Sequence, residues 1–192
     1  MDQKTKGCGC QSTEKPTITD CCSGVAAKNS GCCASGEHPE KRLLIDFMYI
    51  DLTVCERCTG TDASLEETIA EVAKVLKATG YEIEVRKTLI ESEEQACELG
   101  FISSPTIRIN GHDIQLDVKE SLCESCGDVC GEEVDCRVWV WQGQEYTTPP
   151  KAMIVNAILR YVYGDQQGAQ QETKAVPDNL KKFFAAKNKK CC

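Results

Sequence analysis

The run Leu43-Leu44-Ile45-Asp46-Phe47-Met48-Tyr49-Ile50-Asp51-Leu52 ends just before Cys55-Glu56-Arg57-Cys58. An apolar run of that length, rich in aliphatic and aromatic residues, predicts a strand buried inside a sheet. The strand therefore delivers a CxxC pair to its carboxyl end, where a helix follows. Ser64 with Glu67 reads as a capping box, and Leu65, Ile69, Val72 and Leu76 recur at helical spacing until Gly80. This reading starts the helix six residues after Cys58, too far for its dipole to act on the thiols, and leaves Arg57 as the nearer cation.

The rest of the chain extends that unit. Tyr81, Ile83 and Val85 alternate with charged residues as a second strand, and Ser92 with Gln95 opens a short helix closed by Gly100. Thr106 to Ile109, Asn110-Gly111, Ile114 and Leu116 read as a hairpin on a type I′ turn. Val138, Val140 and Tyr146 around Gln142-Gly143 give another hairpin. Pro150 then starts a helix carrying Met153, Ile154, Ala157, Ile158 and Tyr161. The expected class is α/β, a mixed sheet with flanking helices over 42–164.

Outside that domain the composition changes. Residues 1–41 are rich in Ser, Gly, Thr, Lys and Cys with almost no bulky apolar side chains, the signature of a disordered tail. Residues 165–192 read as a Gln/Gly-rich linker, a short helix around Leu180, Phe183 and Phe184, and a terminal Cys191-Cys192. Residues 117–136 are polar, acidic and cysteine-bearing, with too few apolar groups for elements of their own, and read as an insertion.

The chain holds 15 cysteines in 192 residues, and residues 42–164 carry 11 basic against 22 acidic groups. So acidic a core excludes nucleic acid as the natural partner. No run of 18 apolar residues exists, so no membrane span is expected, and MDQKTKGCGC lacks the apolar core of a signal peptide. A reducing cytoplasm is the expected location, where many cysteines point to metal binding or redox chemistry rather than a disulfide framework.

The cysteines sort by spacing. Cys55 and Cys58, accessible at the mouth of the domain, suit a dithiol that exchanges with disulfides, half of a metal site, or an inert pair. Cys123, Cys126, Cys130 and Cys136 lie within 14 residues, compatible with zinc or another thiophilic metal in a tetrahedron, a reactive or metal-transferring site, or disulfides and free thiols. Cys21-Cys22, Cys32-Cys33 and Cys191-Cys192 are neighbours whose mutual disulfides would be strained. Mobile pairs of soft thiolates suit capture of a soft ion instead. Cys97 on the short second helix reads as a small buried hydrophobe, Trp139 and Trp141 as core or interface residues, and His38 and His112 as solvated loop residues. No organic cofactor is implied.

The strand, Cys55–Cys58, the helix, and Ser104-Pro105-Thr106 about fifty residues later resemble the thioredoxin superfamily. That resemblance implies a cis Pro105 lying against the two cysteines, with Cys55 attacking and Cys58 resolving. More closely, CERCTGTDASLEE, SSPTIRING and CRVWVWQGQEYTTPP resemble an uncharacterised prokaryotic thioredoxin-like family known as a domain of unknown function. Its members are often associated with arsenic or organometal resistance. The function expected is therefore thiol–disulfide exchange linked to handling of a soft metal or metalloid through a thiol relay, with a redox partner protein or the ion itself as partner. The alternative is a non-catalytic, thiol-based carrier or sequestering protein.

Overall fold

Strand β1 (Lys41–Tyr49) runs through the middle of the principal sheet of the computed structural model, which describes residues 41–130, 133–164 and 175–190. It pairs in parallel with β2 (Tyr81–Leu89) and antiparallel with β3 (Thr106–Ile109). β4 (His112–Asp113) completes a mixed sheet in the order β2-β1-β3-β4. Parallel neighbours require a crossover, and α1 (Glu56–Ala78) supplies it between β1 and β2. The α/β class expected from the sequence is the observed one.

The two faces of β1 separate two cores because side chains alternate along a strand. Leu43, Ile45 and Phe47 point toward α1 and α4 (Lys151–Tyr163), where they meet Leu65, Leu76, Ile107, Trp139, Met153, Ile154 and Ile158. Met48, and Ile50 just beyond the strand, belong to the opposite core with Ile90, Ala96 and Phe101. α2 (Glu93–Glu98) lies on this side, capped by the Ser92 hydroxyl, which accepts the Gln95 amide at 3.2 Å. Both tight turns have the backbone their sequences require. Asn110 and Gly111 take φ of 46° and 85°, and Gln142 and Gly143 take 52° and 78°.

Two features differ from the sequence pattern. Helix α1 begins at Glu56 rather than at Ser64, because Cys55 is its N-cap, with extended backbone and a thiol that accepts the Cys58 amide at 3.4 Å. Ser64 instead sits inside the helix and donates its hydroxyl to the Pro149 carbonyl at 2.7 Å. Gly60 lets this early turn approach the 148–150 segment, since a Cβ there would run into the Thr148 hydroxyl.

The second difference is order within the insertion. β5 (Lys119–Leu122) and α3 (Glu124–Cys130) form where the sparse apolar content predicts neither. β5 is held by backbone pairing to β6 (Asp135–Trp141), which continues through its turn into β7 (Gln144–Tyr146) as a second sheet ordered β5-β6-β7. β6 is anchored by the buried Arg137, whose guanidinium grips both oxygens of Asp113 at 2.8 Å and lies over the Trp139 ring. Its amide donates to the Ser104 carbonyl at 2.7 Å. Finally, α5 (Asp178–Lys190) buries Leu180, Phe183, Phe184 and Ala186 in the same core as Met48, Ile50 and the cysteines.

Candidate metal centre

The end of β1 and the start of α1 place Cys55 beneath the insertion, and β6 returns Cys136 to the same spot. Cys123 immediately precedes α3 and Cys126 lies on its first turn, and the amides of Cys126 and Gly127 both donate to the Cys123 carbonyl. The Sγ atoms of Cys55, Cys123, Cys126 and Cys136 all lie within 4.8 Å of one another, and all four residues are buried. Cys126 and Cys136 approach to 3.6 Å between sulfurs. A tetrahedral ion with metal–sulfur bonds of about 2.3 Å sets sulfur–sulfur edges near ~3.8 Å. The donor set and its spacing therefore fit a soft ion with little rearrangement.

This assembly redraws the set suggested by spacing. Cys123, Cys126 and Cys136 come together as their proximity in sequence predicts, but the fourth sulfur within reach is Cys55 of the CxxC pair. Cys130 ends α3, and its side chain lies outside the described residues. Cys21, Cys22, Cys32, Cys33, Cys191 and Cys192 also lie outside them, as does His38. Cys97 is exposed on α2, contrary to the expected burial, because that helix turns Ala96 inward instead. Trp139 is fully buried in the core, and His112 is half-buried in β4 beside the Tyr161 ring.

Cys58 stands beside the four but outside their mutual contact. Its sulfur is 3.3 Å from the Ser104 hydroxyl, which in turn accepts the Ile50 amide at 3.2 Å. The Ser104–Pro105 peptide bond is cis, as the resemblance implies for Pro105. Cys55 and Cys58 are each 0% exposed, whereas the sequence reading expects them open at the domain mouth. The insertion and α5 supply the cover.

Arg57 fastens that cover. Its guanidinium donates to the carbonyls of Leu122 at 2.6 Å, Cys136 at 2.9 Å and Ser121 at 3.2 Å, and to the Ser121 hydroxyl at 3.0 Å. The Glu56 amide adds a bond to the Ser125 hydroxyl at 3.3 Å, and Ser125 also contacts the Cys123 sulfur at 3.3 Å. From above, Asn179 of α5 donates its side-chain amide to Glu120 of β5. None of these roles for Arg57, Ser104, Ser125 or Asn179 is marked by spacing, since, apart from the local Ser125–Cys123 contact, each bond joins segments far apart in the chain.

The electrostatics of the thiols follow from their crowding. Bonds from Cys123, Cys126, Cys136 and Cys58 hold the Cys55 thiol well below its ordinary range against the opposing effect of burial. Cys123 is brought down to about 6 by Cys126 and Cys136. In exchange Cys126 and Cys136 are pushed up, first by Cys123, and Cys58 is pushed up by Cys55 and by burial. Thiolates this close repel, so the remaining protons stay until a cation offsets the charge.

A family model described as "Domain of unknown function (DUF2703)" matches residues 43–158. The chain belongs to this family. The DUF2703 match spans Cys55, Cys58, Cys123, Cys126 and Cys136, so every sulfur of the cluster lies within it, whereas α5 lies beyond it. No curated protein and no solved structure matches the chain. Among the described residues, no helix is long and apolar enough to cross a membrane.

Proposed function

We propose that this protein captures a soft, thiophilic ion on Cys55, Cys123, Cys126 and Cys136 and passes it on by thiolate exchange. The supporting observation is four buried cysteine sulfurs within 4.8 Å of one another. Sulfur donors select soft ions, so zinc, mercury(II) and trivalent arsenic are the cargo class. In this reading the pairs Cys21-Cys22, Cys32-Cys33 and Cys191-Cys192 deliver or receive the ion, because ligand replacement one sulfur at a time moves it without releasing it. The setting is a thioredoxin-like domain in the cytoplasm.

Anaerobic metal analysis of the full chain tests the reading. One equivalent is expected to disappear on Cys123→Ser, and so is the thiolate-to-metal charge-transfer absorption of the cobalt(II) form. Unchanged stoichiometry in both Cys123→Ser and Cys136→Ser would sink it.

A second reading, thiol–disulfide exchange, is favoured by Cys55 capping α1 and by the Ser104 hydroxyl beside Cys58. Here the Cys55 thiolate attacks one sulfur of a partner disulfide, and the Cys58 thiolate then attacks Cys55 sulfur. The partner leaves as a dithiol and a Cys55–Cys58 disulfide remains. Burial of both sulfurs requires the insertion to move first. Disulfide reduction by the full chain that is lost in Cys55→Ser would support it, and its absence with chelator present would remove it.

A further inference from the structure

Cys58 is a fifth sulfur at the centre with no place in the tetrahedron, held instead against the Ser104 hydroxyl at 3.3 Å. What hides it is the packing of β5, the first turn of α3, β6 and α5 across the start of α1. The polar part of that closure is a set of hydrogen bonds from Arg57 and Glu56 on the protein surface, where water competes for the same donors and acceptors. The ligand set divides across the same seam: Cys55 belongs to α1, whereas Cys123, Cys126 and Cys136 belong to the insertion. An ion bound to all four thus ties the two sides together, and only the closed arrangement supplies all four sulfurs.

We propose that ion occupancy gates the reactivity of Cys58, a thiol that does not bind the ion. Loaded, the protein keeps Cys58 sealed. Emptied, it opens along the seam and presents Cys58 with Cys55 as a dithiol. A ligand that prefers the closed state lowers the open fraction by the ratio of its affinities for the two states. This inference rests on the four-sulfur reading and adds to it the control of the neighbouring thiol.

The chain carries its own reporter. Cleavage after Arg57 and after its flanking basic residues places Cys55 alone in the peptide 43–57 and Cys58 alone in 58–74. Full-length protein is pulsed with iodoacetamide, either with zinc(II) added or with a chelator, and the two peptides are quantified by mass spectrometry. With zinc the alkylation of both cysteines is expected to slow at least tenfold. In Cys55→Ser, which cuts the tie across the seam, zinc is expected to leave the Cys58 rate unchanged. Protection of Cys55 without protection of Cys58 would overturn the gate and leave the four-sulfur site standing. Failure of zinc to protect Cys55 would overturn both. Persistent protection of Cys58 in Cys55→Ser would mean that Cys58 binds the ion directly, and would also overturn the gate.

Discussion

Replacing Arg57 by alanine removes the side chain that joins the start of α1 to β5 and β6. Its shortest bonds reach the carbonyls of Leu122 at 2.6 Å and Cys136 at 2.9 Å. A hydrogen bond from a charged donor contributes about 1.5–3 kcal/mol net. Arg57 is half-buried, so water recovers part of what is lost. Counting only those two bonds at the lower limit gives about 3 kcal/mol of coupling between the two sides. Because Cys55 is on one side and the other three sulfurs on the other, this coupling enters the affinity of the four-sulfur site directly. Zinc affinity is expected to fall roughly a hundredfold. Competition with a chromophoric chelator, on the full chain and on Arg57→Ala, measures the ratio, and Arg57→Lys is expected to fall between them because it loses the planar fork. Affinity within threefold of the parent in Arg57→Ala would show that the insertion is positioned by other contacts.

Three more outcomes follow from the same contacts. Asp113→Ala leaves the 0%-exposed Arg137 guanidinium without its partner and is expected to cost about 3–5 kcal/mol in urea unfolding, most of it recovered when Arg137→Met is added; a loss under 1 kcal/mol would contradict this. Phe183→Ala empties a site packed against the cysteine side of the core and is expected to weaken α5 docking by about 3–5 kcal/mol. Amide exchange in α5 should accelerate accordingly, and unchanged protection would count against that packing. Ion affinity should fall with acidity, because Cys126 and Cys136 hold protons at neutral pH, raised first by Cys123, and binding must expel them. Two protons released give about a hundredfold change in affinity per pH unit between pH 7 and 8, steepening below about 6 as Cys123 also protonates. Titrations in buffers of different ionisation enthalpy count those protons, and a pH-independent affinity would refute the assignment.

The parts of the fold that were legible are those written in local chemistry. The apolar run of β1, the Ser92 cap, and the Asn110-Gly111 and Gln142-Gly143 turns each carry their signal within a few residues. The start of α1 is not legible in this way, because a capping box is a local pattern and at Ser64 it loses to a thiol cap that depends on where β1 ends. β5 carries no local signal because three of its four residues, including Leu122, are exposed and Glu120 is half-buried, and its order comes from pairing with β6. At the site, the pattern of Cys123, Cys126 and Cys136 was readable, but their meeting with Cys55 was not. Residues 55 and 123 are joined through the sheet, and spacing along a chain carries no information about such a contact. The same holds for Arg57, whose acceptors are backbone carbonyls and so have no identity in the sequence.

The position of Cys55 at the head of a 23-residue helix also bears on ion valence. Four thiolates around a divalent ion leave two net negative charges inside the protein. The amino end of α1 contributes about half a positive charge, and Arg57 adds a full one at the rim, so the imbalance is small. A monovalent ion would leave a third negative charge beyond what the helix end and Arg57 offset, whereas a trivalent one would overshoot neutrality by about half a charge. In the proposed site, charge would thus add to softness in selecting the ion, and would disfavour copper(I), which softness alone would admit.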